Sequence, residues 1–61
     1  MIEELKQIIA ETQPVRYLDV INICIDNNLS VIQAKKTLAS LTEMGIVLKD
    51  KDDILRLRIS T

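Results

Sequence analysis

The spacing of the apolar residues changes its period at Gly45, the only glycine in this chain of 61 residues. Before Gly45 the apolar residues recur every three or four positions, which is the period of a helix with one buried face. After it, Leu55, Leu57 and Ile59 alternate with two arginines, as in a strand with one buried face. The sequence therefore predicts a single α+β domain over residues 1–61, with helices first and a β-hairpin last.

Two helices are predicted before the middle of the chain. The first runs from Met1 to about Thr12, where its apolar stripe ends before Pro14. The second covers about Pro14 to Asn27. It is rich in β-branched residues, which also suit a strand, but its length and its lack of strict alternation favour a helix.

A third helix is predicted from Ser30 to about Met44. The turn Asn27–Ser30 precedes it, and asparagine tolerates the left-handed backbone that ends a helix. Ser30 followed by Gln33 is the capping-box spacing, which places the helix start at Ser30. Gly45 is the expected left-handed C-terminal cap. The predicted buried stripe consists of Val31, Ala34, Leu38 and Leu41.

The hairpin is predicted from the two apolar segments that follow Gly45. The first is Ile46–Leu48 and the second is Ile54–Ile59, and a charged segment separates them. Because that segment has no Asn-Gly or Asp-Gly pair, its loop should be longer than two residues. Its three aspartates lack the twelve-residue spacing and terminal glutamate of a calcium loop, which favours a solubilising role.

The composition argues against catalysis and against a metal or cofactor site. The chain has no histidine, one cysteine and no glycine-rich phosphate loop. A chain of about 60 residues also needs most of its apolar side chains for its own core. We therefore expect a protein that is not an enzyme, with no cofactor, no metal and no small-molecule substrate.

The same inspection predicts a cytoplasmic protein that does not enter a membrane. No apolar run approaches the ~18 residues that a membrane span requires. The acidic start Met1–Glu4 is unlike a secretion signal, and one cysteine cannot form an internal disulfide.

The order of these elements resembles the winged helix-turn-helix superfamily of DNA-binding domains. The resemblance covers Leu18 to Leu57 and is carried by the turn Asn28–Ser30, the segment Gly45–Val47 and the hairpin, together with Ala34, Leu38 and Leu41 at spacings of four and three. It implies a small winged helix with three helices and a C-terminal two-stranded wing. It further implies a DNA-binding transcriptional regulator whose third helix enters the major groove and whose wing contacts the backbone.

On that resemblance the candidate DNA-contacting residues are the outward side chains of the third helix and the basic side chains of the hairpin. Ser30 and Gln33 are sufficiently explained by the capping box, and the basic side chains can be explained as ordinary solvated faces. The candidates are Ser30, Gln33, Lys35, Lys36, Thr37, Ser40, Lys49, Lys51, Arg56 and Arg58.

The charge distribution bears on this interpretation in both directions. The net charge is −1, whereas DNA-binding domains usually carry a basic excess. The segment Met1–Asp26 has five acidic and two basic residues, but Leu29–Met44 has two lysines and one glutamate. A mildly basic recognition side fits DNA binding, although a single copy would contact few phosphates and would gain affinity by forming a dimer.

The second helix is apolar on more sides than a small core can cover. Either the core is filled by many small aliphatic side chains, or part of the helix packs against a second copy or another protein. The candidate partner interface consists of Tyr17, Val20, Ile23 and Cys24, although Cys24 also fits a small buried apolar side chain. The alternative function is therefore a winged-helix protein-interaction module that does not bind DNA.

Overall fold

Three helices and a three-stranded antiparallel sheet make up the computed structural model, which describes residues 1–58. The α+β class is thereby confirmed. Ile59, the last residue of the predicted alternation, lies outside the described residues. The elements in chain order are α1 Ile2–Thr12, β1 Val15–Arg16, α2 Tyr17–Asp26, α3 Val31–Glu43, β2 Val47–Lys49 and β3 Ile54–Leu57.

The start of the second helix differs from the prediction, and the difference adds a strand. The helix does not begin at Pro14, because Val15 and Arg16 form β1 and α2 begins at Tyr17. Val15 pairs with Leu55 on β3, and both side chains are buried. The sheet order is β1-β3-β2, so the predicted two-stranded hairpin is part of a three-stranded sheet. Val15 is β-branched and fits a strand well, so its pairing with β3 and its burial are favoured over a place in the first turn of the helix.

The turn between α2 and α3 confirms the role predicted for asparagine. Asn28 has a φ of 60°, in the left-handed region. Its backbone N–H donates to the Ile25 carbonyl at 3.0 Å, and the Leu29 N–H donates to the Cys24 carbonyl at 2.8 Å. This pair of bonds is the Schellman motif, which satisfies carbonyls that a helix end would otherwise leave free.

Both ends of α3 are capped as the sequence predicts. The Gln33 N–H donates to the Ser30 hydroxyl oxygen at 3.3 Å. Gly45 follows the helix with a φ of 79°, and the Ile46 N–H donates to the Leu41 carbonyl at 3.0 Å. The helix ends at Glu43, Gly45 turns the chain, and β2 begins at Val47.

The core lies between the three helices and one face of the sheet. The predicted stripe of α3 is confirmed at Ala34, Leu38 and Leu41, whereas Val31 is only half-buried. Across residues 1–58, no helix has the length and apolar character needed to cross a bilayer. The buried side chains are Leu5, Ile9, Val15, Val20, Ile21, Cys24, Ala34, Leu38, Leu41, Val47 and Leu55.

Candidate nucleic-acid interface

The outward surface of α3 presents polar side chains in the positions that the sequence predicts. Gln33, Lys36 and Ser40 are exposed, and they lie away from the buried stripe of the helix. Thr37 is only half-buried beside that stripe, and the Ser30 hydroxyl is already engaged in the helix cap. The free polar surface of the helix is therefore narrower than predicted.

A groove between α3 and the hairpin brings together two of the predicted basic residues. Lys35 and Lys49 line it, together with Leu38 and Ala39. The Lys49 Nζ lies 5.9 Å from the centre of the Tyr17 ring, within range of a cation–π interaction. Tyr17 thus belongs to this groove, a role that the sequence does not reveal because it depends on how the hairpin folds back.

The groove also contains acidic side chains. Glu43 and Asp53 are among its lining residues, and the Asp53 carboxylate lies 3.8 Å from the Lys49 Nζ. A phosphate entering the groove would therefore compete with Asp53 for Lys49. The groove is therefore mixed in charge, with two lysines and two carboxylates among its lining residues.

The basic residues of the hairpin do not form one surface. Lys49 pairs with Leu55, whose side chain is buried, so both lie on the face of the sheet that points toward the helices. Arg56 pairs with Leu48, and both are exposed on the opposite face. Because side chains alternate between faces along a strand, Lys49 and Arg56 lie on opposite faces of the sheet.

Arg58 lies close to the end of α3. Its Nη1 atom is 3.4 Å from the point that a Cβ on Gly45 would occupy, and its backbone N–H donates to the Ile46 carbonyl at 2.9 Å. A cation beside a helix C-terminus is favoured by the negative end of the helix dipole. The position of Arg58 thus has a structural explanation that does not require DNA.

The hairpin tip is built on the side chain of Asp50. Its Oδ1 atom accepts the N–H of Asp52 at 2.8 Å and the N–H of Ile54 at 3.1 Å. Asp53 adopts a φ of 59°, which completes the loop. Lys51 stands exposed at the tip. Asp50 therefore shapes the turn, and no acidic cluster able to hold a metal occurs within residues 1–58.

The ion pairs divide the basic residues into two groups. Lys6 pairs with Glu3, Arg16 with Asp19 and Lys49 with Asp53. The remaining basic side chains have no carboxylate within 4.0 Å in the described part of the chain, and all belong to α3 or the hairpin region. They are Lys35, Lys36, Lys51, Arg56 and Arg58.

The predicted partner interface on α2 is wrong at two of its four positions. Val20 and Cys24 are fully buried in the core of the chain itself, and burial raises the pKa of the Cys24 thiol above its ordinary value. Tyr17 and Ile23 are half-buried. The helix has two neighbouring apolar stripes, and the stripe containing Val20 and Cys24 is the one that faces inward.

Comparisons with protein-family models, with curated proteins and with solved structures gave no match.

Proposed function

We propose that this chain is a winged-helix domain that binds double-stranded DNA and regulates transcription. In this arrangement α2 and α3 form the helix-turn-helix, joined at Asn27–Ser30, and the β2–β3 hairpin is the wing. α3 is the helix that enters the major groove, because its outward surface is polar and free of intramolecular ion pairs between Gln33 and Ser40.

The distribution of unpaired basic side chains supports this proposal most directly. The two basic residues of the N-terminal half each pair with a nearby carboxylate. Lys6 pairs with Glu3 of α1, and Arg16, directly before α2, pairs with Asp19 in the first turn of α2. By contrast, Lys35 and Lys36 on α3 have no carboxylate within 4.0 Å among residues 1–58, and Lys35 lines the groove that also contains Lys49. Cations that are not neutralised within the protein are the ones available to replace counterions on a phosphate backbone.

The proposed roles follow from the placement of each side chain. Gln33 and Lys36 point outward from the first half of α3, where base edges are contacted; glutamine suits adenine and lysine suits guanine or a phosphate. Lys35 and Lys49 hold one DNA backbone at the groove beside α3. Arg56, on the other face of the sheet, contributes long-range attraction only.

Paired lysine substitutions test this proposal. We expect Lys35→Gln with Lys36→Gln to weaken binding to a mixed-sequence duplex, measured by fluorescence anisotropy at several salt concentrations. The slope of log affinity against log salt is negative, and each lost phosphate contact should make it shallower by about 0.9. The control is Lys6→Gln, which removes a charge from α1 and should leave that slope nearly unchanged.

A second substitution should strengthen binding. Asp53→Asn removes the carboxylate that competes for Lys49, and asparagine retains the left-handed backbone found at this position. We expect a few-fold higher affinity at low salt, since one phosphate contact becomes easier to form.

Equal weakening by Lys6→Gln and by the double lysine variant would contradict the proposed surface, as would an absence of duplex binding at low salt.

The exposed aliphatic side chains of the helix-turn-helix favour a second candidate function, a protein-interaction module. Leu18 on α2 and Ile32 on α3 are 72% and 66% exposed. A module that only binds protein would show no salt-dependent affinity for DNA, and its activity would depend on these aliphatic residues instead of on Lys35 and Lys36.

A further inference from the structure

The outward side of α2 carries two large aliphatic side chains that remain exposed. Leu18 is 72% exposed and Ile25 is 51% exposed. Leu18, Asn22 and Ile25 are spaced four and three residues apart, so they follow one line along the helix surface. These three residues are named the α2 stripe below.

The two ends of the α2 stripe differ in shape. At its N-terminal end, Leu18 and Asn22 line a hollow between α2 and the hairpin tip, together with Tyr17 and Asp52. Ile25 lies outside this hollow, seven residues and ~10.5 Å further along the helix. The stripe therefore carries a hollow at one end and an exposed aliphatic side chain at the other.

We propose that a second copy of this chain packs on the α2 stripe, with the two α2 helices antiparallel about a two-fold axis. Ile25 of each copy enters the hollow beside Leu18 of the other copy. Asn22 lies near the axis, where its amide meets the same amide of the second copy. One surface then serves both copies, which is the arrangement that a closed two-fold dimer requires.

The charges at the two ends of α2 favour the antiparallel direction. Arg16 directly precedes the helix and Asp26 is its last residue. When Leu18 of one copy faces Ile25 of the other, Asp26 of the second copy faces position 17 of the first. Arg16 is the next residue, ~1.5 Å away along the helix axis, so the two opposite charges lie close together. A parallel pair would instead place Asp26 beside its counterpart.

The rim of the hollow suits a second copy better than a strongly basic partner. Arg16 already contacts Asp19 at 3.1 Å, and Asp53 lies 3.8 Å from Lys49, so most of the acidic charge there is neutralised within one copy. The Arg16 guanidinium has five N–H donors, so it can accept a second carboxylate, that of Asp26, without leaving Asp19.

Sedimentation equilibrium over a range of protein concentrations tests this dimer. Leu18→Ser and Ile25→Ser should each weaken the dimer about 100-fold, because each lost side chain is lost twice in a two-fold interface. Both positions are exposed, so the fold should remain intact, as circular dichroism will show. The control is Ile32→Ser, which removes an isoleucine of α3 that is more exposed than Ile25 and less exposed than Leu18, and should leave the dimer unchanged.

A charge exchange tests the antiparallel register. Asp26→Arg places the new arginine of each copy beside Arg16 of the other copy, at both ends of the helix pair. The repulsion should weaken the dimer about tenfold. Adding Arg16→Asp to this variant restores the opposite pair and should recover most of the affinity. Failure of the double variant to recover would overturn the register.

The dimer itself is overturned if the chain stays monomeric at the concentrations used for NMR, or if neither serine variant weakens association. These outcomes are separate from the proposed function. A monomer that binds DNA would overturn the dimer alone, and a dimer that never binds a duplex would overturn DNA binding alone.

Discussion

Gly45 determines how α3 gives way to the sheet. Its φ of 79° turns the chain so that the Ile46 N–H reaches the Leu41 carbonyl and β2 can start at Val47. Residues with a Cβ reach this region at a cost of about 1–2 kcal/mol, and asparagine pays less than most. A single backbone angle at Gly45 therefore positions the hairpin relative to α3.

We expect Gly45→Ala to lower the free energy of unfolding by about 1–2 kcal/mol. Gly45→Asn adds a Cβ at the same place beside Arg58, but asparagine tolerates the left-handed backbone. The free energy of unfolding should therefore fall less in this variant than in Gly45→Ala. Urea unfolding followed by circular dichroism measures both variants. Equal losses would show that the contact with Arg58, and not the backbone angle, is the cause.

The roles of single cap and turn residues could be predicted from the sequence more fully than any other feature. Ser30, Asn28 and Gly45 could be predicted as cap and turn residues because each acts through its own backbone or its nearest neighbours. The burial of Val20 could not, because α2 has two apolar stripes and only packing against the other elements decides which one faces inward. The burial of Cys24 agrees with the interpretation of this residue as a small apolar side chain of the core.

The β2–β3 hairpin depends on side-chain hydrogen bonds at its tip as well as on strand pairing. Asp50 accepts two backbone N–H groups, from Asp52 and Ile54, and so ties the two ends of the loop together. The sequence predicted a loop longer than two residues, but it gave these aspartates no role beyond solubility. Their role depends on the loop conformation, which a local charge pattern does not specify.

We expect Asp50→Ala to destabilise the protein by about 1–2 kcal/mol, since two backbone hydrogen bonds lose their acceptor. Asp50→Asn keeps an acceptor oxygen and should lose less than half of that. Asp52→Ala removes the same charge from the same loop and should change stability little. Thermal unfolding of the three variants measures this order; a loss in Asp52→Ala equal to that in Asp50→Ala would mean that loop charge, not hydrogen bonding, is responsible.

At the scale of the whole molecule, the class and order of the main elements could be predicted, but the relation between surfaces could not. The strand Val15–Arg16 is too short for a periodic signal and forms only because β3 lies beside it. The separation of Lys49 from Arg56 likewise follows from the register of β2 on β3. Both depend on pairing between distant segments of the chain, which the pattern within each segment does not specify.

We propose that DNA binds at Lys35 and Lys36 of α3 and at the adjoining groove that contains Lys49. The most direct test is an NMR titration of backbone amide shifts with a mixed-sequence duplex at low salt, repeated after salt is added. We expect shifts concentrated at Gln33–Ser40 and Lys49–Lys51 that diminish with salt, and little change along α1. An absence of shifts, or shifts spread equally over α1 and α3, would contradict DNA binding by this surface.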